Sequence, residues 1–400
     1  MRSPAQTLLL LFFPLLLVLL LSRTTTATNC PCGYTTPNGA FFTDALETDF
    51  FHVGDLARDT NSAWIPQAYN VTPGNANGPF GKASRVENVV ANPMRGGRDV
   101  WDGEGIDGED PGLGSWTRST LISSSSDEDD DEDEDEGGGG GSMIPMSEIV
   151  SSRTDILYGS FRIALKATNI NGTCGAFFFY FNDSTEIDME FLSRQTVPTT
   201  SNNNSSINLV IQSPDSARKG YASGPDFILK SLSFDPTIGY NEFRFDWFPS
   251  HVDFFANSVL LHRMEGNVPK GQPGALHVSH WSNGNEGWSG GPPERDAVLR
   301  VGYVKGYFNV SGSEGEGWRG RCEAAREGER EVCKVEDQVV PPDPGVGNGE
   351  TVFLTEQGGS QSGDGDEGTK TGGAEKSTFP EAWWIAFVLS VVVLLFDIAV

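Results

Sequence analysis

The sequence predicts an all-β fold, a sandwich or barrel of many short antiparallel strands. Between residues 30 and 308, short apolar runs are separated by turns of Pro, Gly, Asn and Asp, and no stretch there carries a sustained helical stripe. A second observation is the alternation in residues 185–192, where Glu186, Asp188 and Glu190 interleave with Ile187, Met189 and Phe191. A strand of period two places those acids on one face and anchors the other face in a core.

In chain order, residues 41–51 are the first plausible strand, and residues 64–98, with turn residues throughout, read as loops laid over a scaffold. Residues 156–167 alternate in part, residues 175–181 are an aromatic run suited to burial, and residues 185–193 form the acid strand. Further strands are expected at 207–212, 227–234, 241–247, 251–255 with 259–263, 275–281 and 297–308. Turns such as Asp235-Pro236-Thr237 and Asn257-Ser258 link them. One large domain is therefore expected over residues 30–333.

The ends are of a different character. Arg2 precedes an apolar run at 8–21, and the small residues Thr25 and Ala27 suit cleavage, so residues 1–27 are expected to be a signal peptide. An uncleaved anchor is the weaker alternative. Residues 339–377 are rich in Pro, Gly, Ser and acids and read as a flexible stalk. Residues 378–400 are expected to be a hydrophobic anchor signal. Gly372, Gly373 and Ala374, a polar spacer and an apolar tail follow in the order of a glycolipid-anchor signal. The uninterrupted apolar part, 383–396, falls short of the roughly 20 residues that span a bilayer. A single transmembrane segment is the alternative, and either way the chain is expected to be secretory and held at the membrane or cell wall.

A net charge of -27 excludes nucleic acid as a partner, because phosphates would be repelled. Much of that charge is local, since residues 127–136 are all acidic, preceded by serines and followed by glycines. Residues 123–142 are therefore expected to be a disordered, solvated insertion. A calcium site would need rigid, turn-spaced oxygens, which a uniform run does not supply.

Five cysteines suit a small disulfide set in an oxidising compartment. Cys322 and Cys333 are close in sequence and are expected to pair. Cys30-Pro31-Cys32 is too tight for a comfortable direct bridge, so one of those two reaches elsewhere, and with Cys174 one thiol is left over. Glycosylation sequons begin at Asn70, Asn171, Asn182, Asn203, Asn204 and Asn309 and agree with secretion.

Like charges spaced as in the acid strand repel. Repulsion raises the proton affinity of at least one, so that an acid and a carboxylate coexist at one pH. An isolated acidic triplet is more often a solvated strand face, and its neighbours decide. Those neighbours are Tyr158-Gly159-Ser160-Phe161-Arg162, Ala176-Phe177-Phe178-Phe179-Tyr180, Phe243-Arg244-Phe245-Asp246-Trp247, Val252-Asp253-Phe254-Phe255 and Ser279-His280-Trp281-Ser282-Asn283-Gly284. Together with Glu186-Ile187-Asp188-Met189-Glu190-Phe191-Leu192 this pattern resembles glycoside hydrolase family 16, which contains endo-β-glucanases of the lichenase and laminarinase type and cell-wall transglycosylases. The resemblance covers residues 153–308 well and the N-terminal third loosely.

The resemblance implies a concanavalin-like jelly-roll β-sandwich, with Glu186 as nucleophile, Glu190 as general acid and then base, and Asp188 tuning their charge. A retaining glycosidase needs two carboxyls about 5–5.5 Å apart. Residues four apart on a strand are about 13 Å apart at Cα, so both glutamates must lean inward. Trp281 and Trp288 bracket a polar loop suited to sugar rings and hydroxyls. Trp281 is expected to contact substrate, and for Trp288 core and substrate roles are evenly weighted. Asn283, Arg153 and His280 are further substrate-binding candidates, and Trp247 is expected in the core. Ser151 and Ser184 stand where the lichenase type has an acid and a tryptophan, which puts the mixed-linkage substrate in doubt.

His52, His251, His262 and His277 lack metal-ligand spacing, and no metal or cofactor is expected. The function implied is a retaining endo-β-glucanase acting on cell-wall glucan as a monomer. A transglycosylase using a sugar acceptor, or a lectin that binds without cutting, are the alternatives.

Overall fold

The computed structural model describes residues 30–57, 62–91, 111–123, 141–196, 205–311, 314–325, 327, 331–347 and 349–355. The signal peptide, the core of the acidic insertion, the anchor segment and the sequons at Asn203 and Asn204 lie outside them. Among the described residues no helix is long and apolar enough to cross a membrane.

Two large sheets face each other. The front sheet runs in the order Phe227–Ser231, Ser206–Gln212, Thr185–Leu192, Cys174–Asn182, Ala275–Trp281, Ser142–Ser151, Gly81–Ser84, Tyr69–Val71. The back sheet runs Val259–Met264, Val252–Ala256, Asn241–Trp247, Ile156–Lys166, Ala297–Val310, Leu113–Thr117, Val89–Val90, with Asp44–Asp49 also paired to Ala297–Val310. Most neighbours are antiparallel, and the architecture is the jelly-roll β-sandwich expected.

Alternation builds the interior. Phe177, Phe179, Ile187, Met189 and Phe191 of the front sheet and Phe243, Phe245 and Trp247 of the back sheet are all buried. Their rings meet across the gap: Phe177 with Phe245 at 5.4 Å, Phe179 with Trp247 at 4.4 Å and Phe191 with Phe243 at 4.6 Å between centroids. Tilted and edge-on contacts of this kind suit the quadrupole of each ring. Trp247 is core, as expected, and its indole donates to the Pro269 carbonyl at 3.0 Å.

Several features differ from expectation. Residues 64–98 are not only loops, because Trp64–Pro66, Tyr69–Val71 and Gly81–Ser84 add to the front sheet. Ser142–Ser151 and Leu113–Thr117 are strands that the periodicity did not reveal.

The disulfides are Cys30–Cys333 and Cys32–Cys322, so the expected Cys322–Cys333 bridge does not form. The reason is topological. Tyr34–Thr35 pairs in parallel with Cys333–Lys334, and that brings the first described residues beside the segment that closes the domain. Cys174 is the free thiol, and it is buried.

Of the residues expected to form a flexible stalk from 339, those at 339–347 and 349–355 are instead laid with 335–338 as a strap over the outer face of the back sheet, against buried charged residues. Arg162 donates to the Glu336 carbonyl at 2.7 Å, and Arg244 pairs with Asp337 at 2.7 Å. Lys305 donates to Thr351 at 2.6 Å and to the Val352 carbonyl at 2.8 Å. The amides of Leu354 and Thr355 donate to Glu47 at 2.6 and 2.7 Å.

Candidate active site

The acid strand lies between Cys174–Asn182 and Ser206–Gln212, deep in the front sheet. Its register sets Glu186 opposite Tyr180, Asp188 opposite Phe178 and Glu190 opposite Ala176. One strand further, Phe178 is opposite His277, Ala176 opposite Ser279 and Cys174 opposite Trp281. Because parity is kept along each strand, all these side chains occupy the face turned away from the back sheet.

Asp188 is only 4 % exposed, and burial, followed by the charges of Glu186 and Glu190, pushes its carboxyl well above the usual range. It therefore keeps a proton, which it gives in a hydrogen bond to Glu186. That bond, with the charges of His277 and Lys82, opposes the upward push that burial exerts on Glu186. Oδ2 of Asp188 has no partner among the described residues.

Burial raises Glu190 to about 7. The indole of Trp288, the charge of Glu186, the thiol of Cys174 and the charge of Lys82 modify that value in descending order, with only Glu186 adding to the rise. Trp288 Nε1 donates to Glu190 Oε1 at 3.3 Å, and Cys174 Sγ donates to the same oxygen at 3.5 Å. The site thus presents Glu186, Asp188 and Glu190 on one strand face, with the Asp188 carboxyl pushed well toward its protonated form and Glu190 titrating near neutrality.

The loop that supplies Trp288 is held by its backbone. Arg194, in the short helix Ser193–Thr196 that follows the acid strand, donates to the carbonyls of Glu286, at 2.6 Å, and Gly287. Asn283 is not at the surface where a sugar would lie. It is 4 % exposed, its amide donates to the Ala76 carbonyl at 2.6 Å, and its Oδ1 accepts from Ser289 Oγ at 2.8 Å and from the Asn285 amide at 3.0 Å. Asn283 therefore shapes the loop, which corrects its expected role as a sugar contact.

His280 is also corrected. It alternates with Leu276 and Val278 on the core face of its strand, is fully buried, and its Nδ1 lies 2.8 Å from the Ser115 carbonyl of the back sheet. Burial holds its imidazole at about 4, so it is neutral. Arg153 is the third correction. It forms a two-pronged pair with Asp155 at 2.7 Å, lies 3.7 Å from Asp44, and covers the ring of Phe308 on the back sheet.

Trp281 lies on the acid face, with Lys82 Nζ 4.6 Å above its ring centre. Four residues on this face were missed: Lys82, His277, Glu148 and Cys174. His277 Nδ1 is 2.7 Å from Glu148 Oε1, and its ring stacks on Phe178 at 4.7 Å. Tyr69 donates its hydroxyl to the other oxygen of Glu148. Parity would have found His277, because residues 277, 279 and 281 share a face and His280 does not.

Fold and site together define a jelly-roll β-sandwich with a carboxylate triad on the outer face of its front sheet. Residues 143–297 match the model of the family described as Glycosyl hydrolases family 16. A beta-glucanase of Paenibacillus macerans is 26 % identical over 139 residues, which are 33 % of this chain and 52 % of the relative. The chain spans about half the length of the curated relatives it matches. Among solved structures, a Bacillus licheniformis beta-glucanase aligns with a TM-score of 0.44 at 18 % identity, covering 66 % of this chain and 97 % of that one. The laminarinase catalytic domain of Thermotoga maritima MSB8 aligns with a TM-score of 0.44 at 15 % identity, covering 66 % and 98 %.

Proposed function

We propose that the protein is a retaining glycoside hydrolase that cleaves a β-linked cell-wall glucan within the chain. The observation that carries this reading is the placement of Glu186 and Glu190 on one strand face, two residues to either side of Asp188, with Glu190 held near neutrality. In the first step a carboxylate oxygen of Glu186 attacks the anomeric carbon while the Glu190 proton passes to the glycosidic oxygen, and the leaving sugar departs as an alcohol. In the second step Glu190, now a carboxylate, takes a proton from water. The water oxygen bonds to the anomeric carbon, and Glu186 is released as a carboxylate.

The beta-glucanase relatives support glucan as the substrate class. Two disulfides support an oxidising compartment, and with the apolar runs at both ends they favour an enzyme secreted and held at the cell surface.

The test is Glu186→Gln with laminarin, mixed-linkage glucan and chitin oligomers as substrates and product sizes as the readout. Loss of turnover with an unchanged melting temperature is expected. Wild-type turnover by this variant, or recovery of every oligomer uncut by the native chain, overturns the reading. Products longer than the donor in the presence of an acceptor oligosaccharide would assign transfer in place of hydrolysis.

A further inference from the structure

Cys174 is out of place as a spare thiol. The four other cysteines pair in disulfides, whereas Cys174 is 0 % exposed and sits on the acid face, opposite Trp281 on one side and Leu192 on the other. Its single proton has two acceptors in reach, the Gly175 carbonyl at 3.6 Å and Glu190 Oε1 at 3.5 Å. A carboxylate is the stronger acceptor of the two, so the thiol turns to Glu190 when Glu190 is ionised. The indole of Trp288 reaches the same oxygen from the loop above.

We propose that Cys174 is a positioning residue for the acid–base carboxyl, which with Trp288 clamps Oε1 of Glu190 and leaves Oε2 as the oxygen that carries the proton to and from substrate. This rests on the reading of Glu190 given under Proposed function. An oxygen that accepts two hydrogen bonds is the poorer site for a proton, so in the neutral acid the proton resides on Oε2. The clamp also fixes the rotation of the carboxyl plane, which a free glutamate side chain would sample. Burial and the nearby Glu190 charge hold the thiol well above its ordinary range, so it remains a donor throughout the pH range in which Glu190 titrates.

The other groups facing Glu190 are Glu186 and Asp188 on its own strand, Lys82 from Gly81–Ser84, and the neutral Asn208 opposite it on Ser206–Gln212. Arg194 is engaged with loop carbonyls. None of these changes when Cys174 is replaced, so the thiol's part can be read separately.

Removing a donor to the carboxylate raises the proton affinity of Glu190. For Cys174→Ala the basic limb of the kcat/KM profile on laminarin oligosaccharides should move upward by about half a pH unit, with kcat/KM down roughly threefold to tenfold, since a thiol is a weak donor. Trp288→Phe should move the limb the same way, and Cys174→Ser should return it toward the native position. If Cys174→Ala does not fold, Cys174→Val keeps volume and removes the donor, and carries the same expectation. Carboxyl-carbon NMR of Glu190 in the full chain reads the shift without substrate. An unmoved limb and an unmoved Glu190 titration overturn the proposal, even where activity or melting temperature falls, because a packing role moves neither. Glu190→Gln separates the two levels. If it is inactive while the Cys174 variants titrate normally, the clamp alone fails; if it keeps full activity, the assignment of Glu190 fails with it.

Discussion

Asp188 sits between two glutamates and, by holding its proton, lets them differ. Its hydrogen bond lowers the proton affinity of Glu186, so Asp188→Ala should shift the acidic limb of the kcat/KM profile to higher pH and cut turnover by about a hundredfold. A pH profile against the same oligosaccharide checks both. Glu190 gives a stability signature as well. In the fold it keeps its proton up to about 7, and unfolded it releases the proton near 4.5. Between those values the folded chain binds more protons, so stability falls as pH rises through that window. Melting curves from pH 4.5 to 7 should therefore slope less steeply downward for Glu190→Gln than for the native chain. At this scale the acids were legible because alternation of charge and bulk is a local pattern. His280 and Asn283 were misjudged because neighbourhood to Trp281 in sequence was taken for neighbourhood in space, and Arg153 because its role was carried over from the resemblance. Parity sends His280 into the core, Asn283 reaches the Ala76 carbonyl far away in the chain, and Arg153 is held on the back-sheet side by Asp155 and Asp44.

Among elements, the strands with one core face and one polar face were read within a residue or two, as Ile156–Lys166, Thr185–Leu192 and Asn241–Trp247 show. Ser142–Ser151 escaped because it is buried on both faces and contains Pro145, a residue that ordinarily argues against an interior strand. Its neighbour Gly81–Ser84 runs parallel to it and brings Lys82 toward the acids, so missing one strand hid a site residue on the other. The loop that carries Trp288 has its own requirement. Gly284 has φ of 75°, and a side chain there would come within 2.4 Å of the Phe80 ring. Gly284→Ala should destabilise the chain by roughly 1–3 kcal/mol and, through displacement of Trp288, move the basic limb of the kcat/KM profile upward. Thermal melting and a pH profile check this, and an unmoved limb would contradict it.

For the molecule as a whole, the strap at residues 335–355 was illegible because its composition is that of a linker. Much of its binding is made by backbone amides and carbonyls, which leave no trace in residue type, beside the side chains of Asp337 and Thr351. Underneath lie Arg162, Glu242, Lys305 and Glu47, all buried. A chain ending at residue 338 would leave Lys305 and Glu47 short of partners, and an uncompensated buried charge costs about 3–5 kcal/mol. Its melting temperature should fall well below that of a chain ending at residue 355, as calorimetry can show. The disulfides bear on the same closure. Both join residues near 30 to residues beyond 320, with sequence separations of 303 and 290. A single protease cut anywhere between Cys32 and Cys322 therefore leaves two pieces tied by two covalent links. Such a nicked molecule should migrate as one band until a reductant is added, and the two sheets can survive damage to any one of their connecting loops.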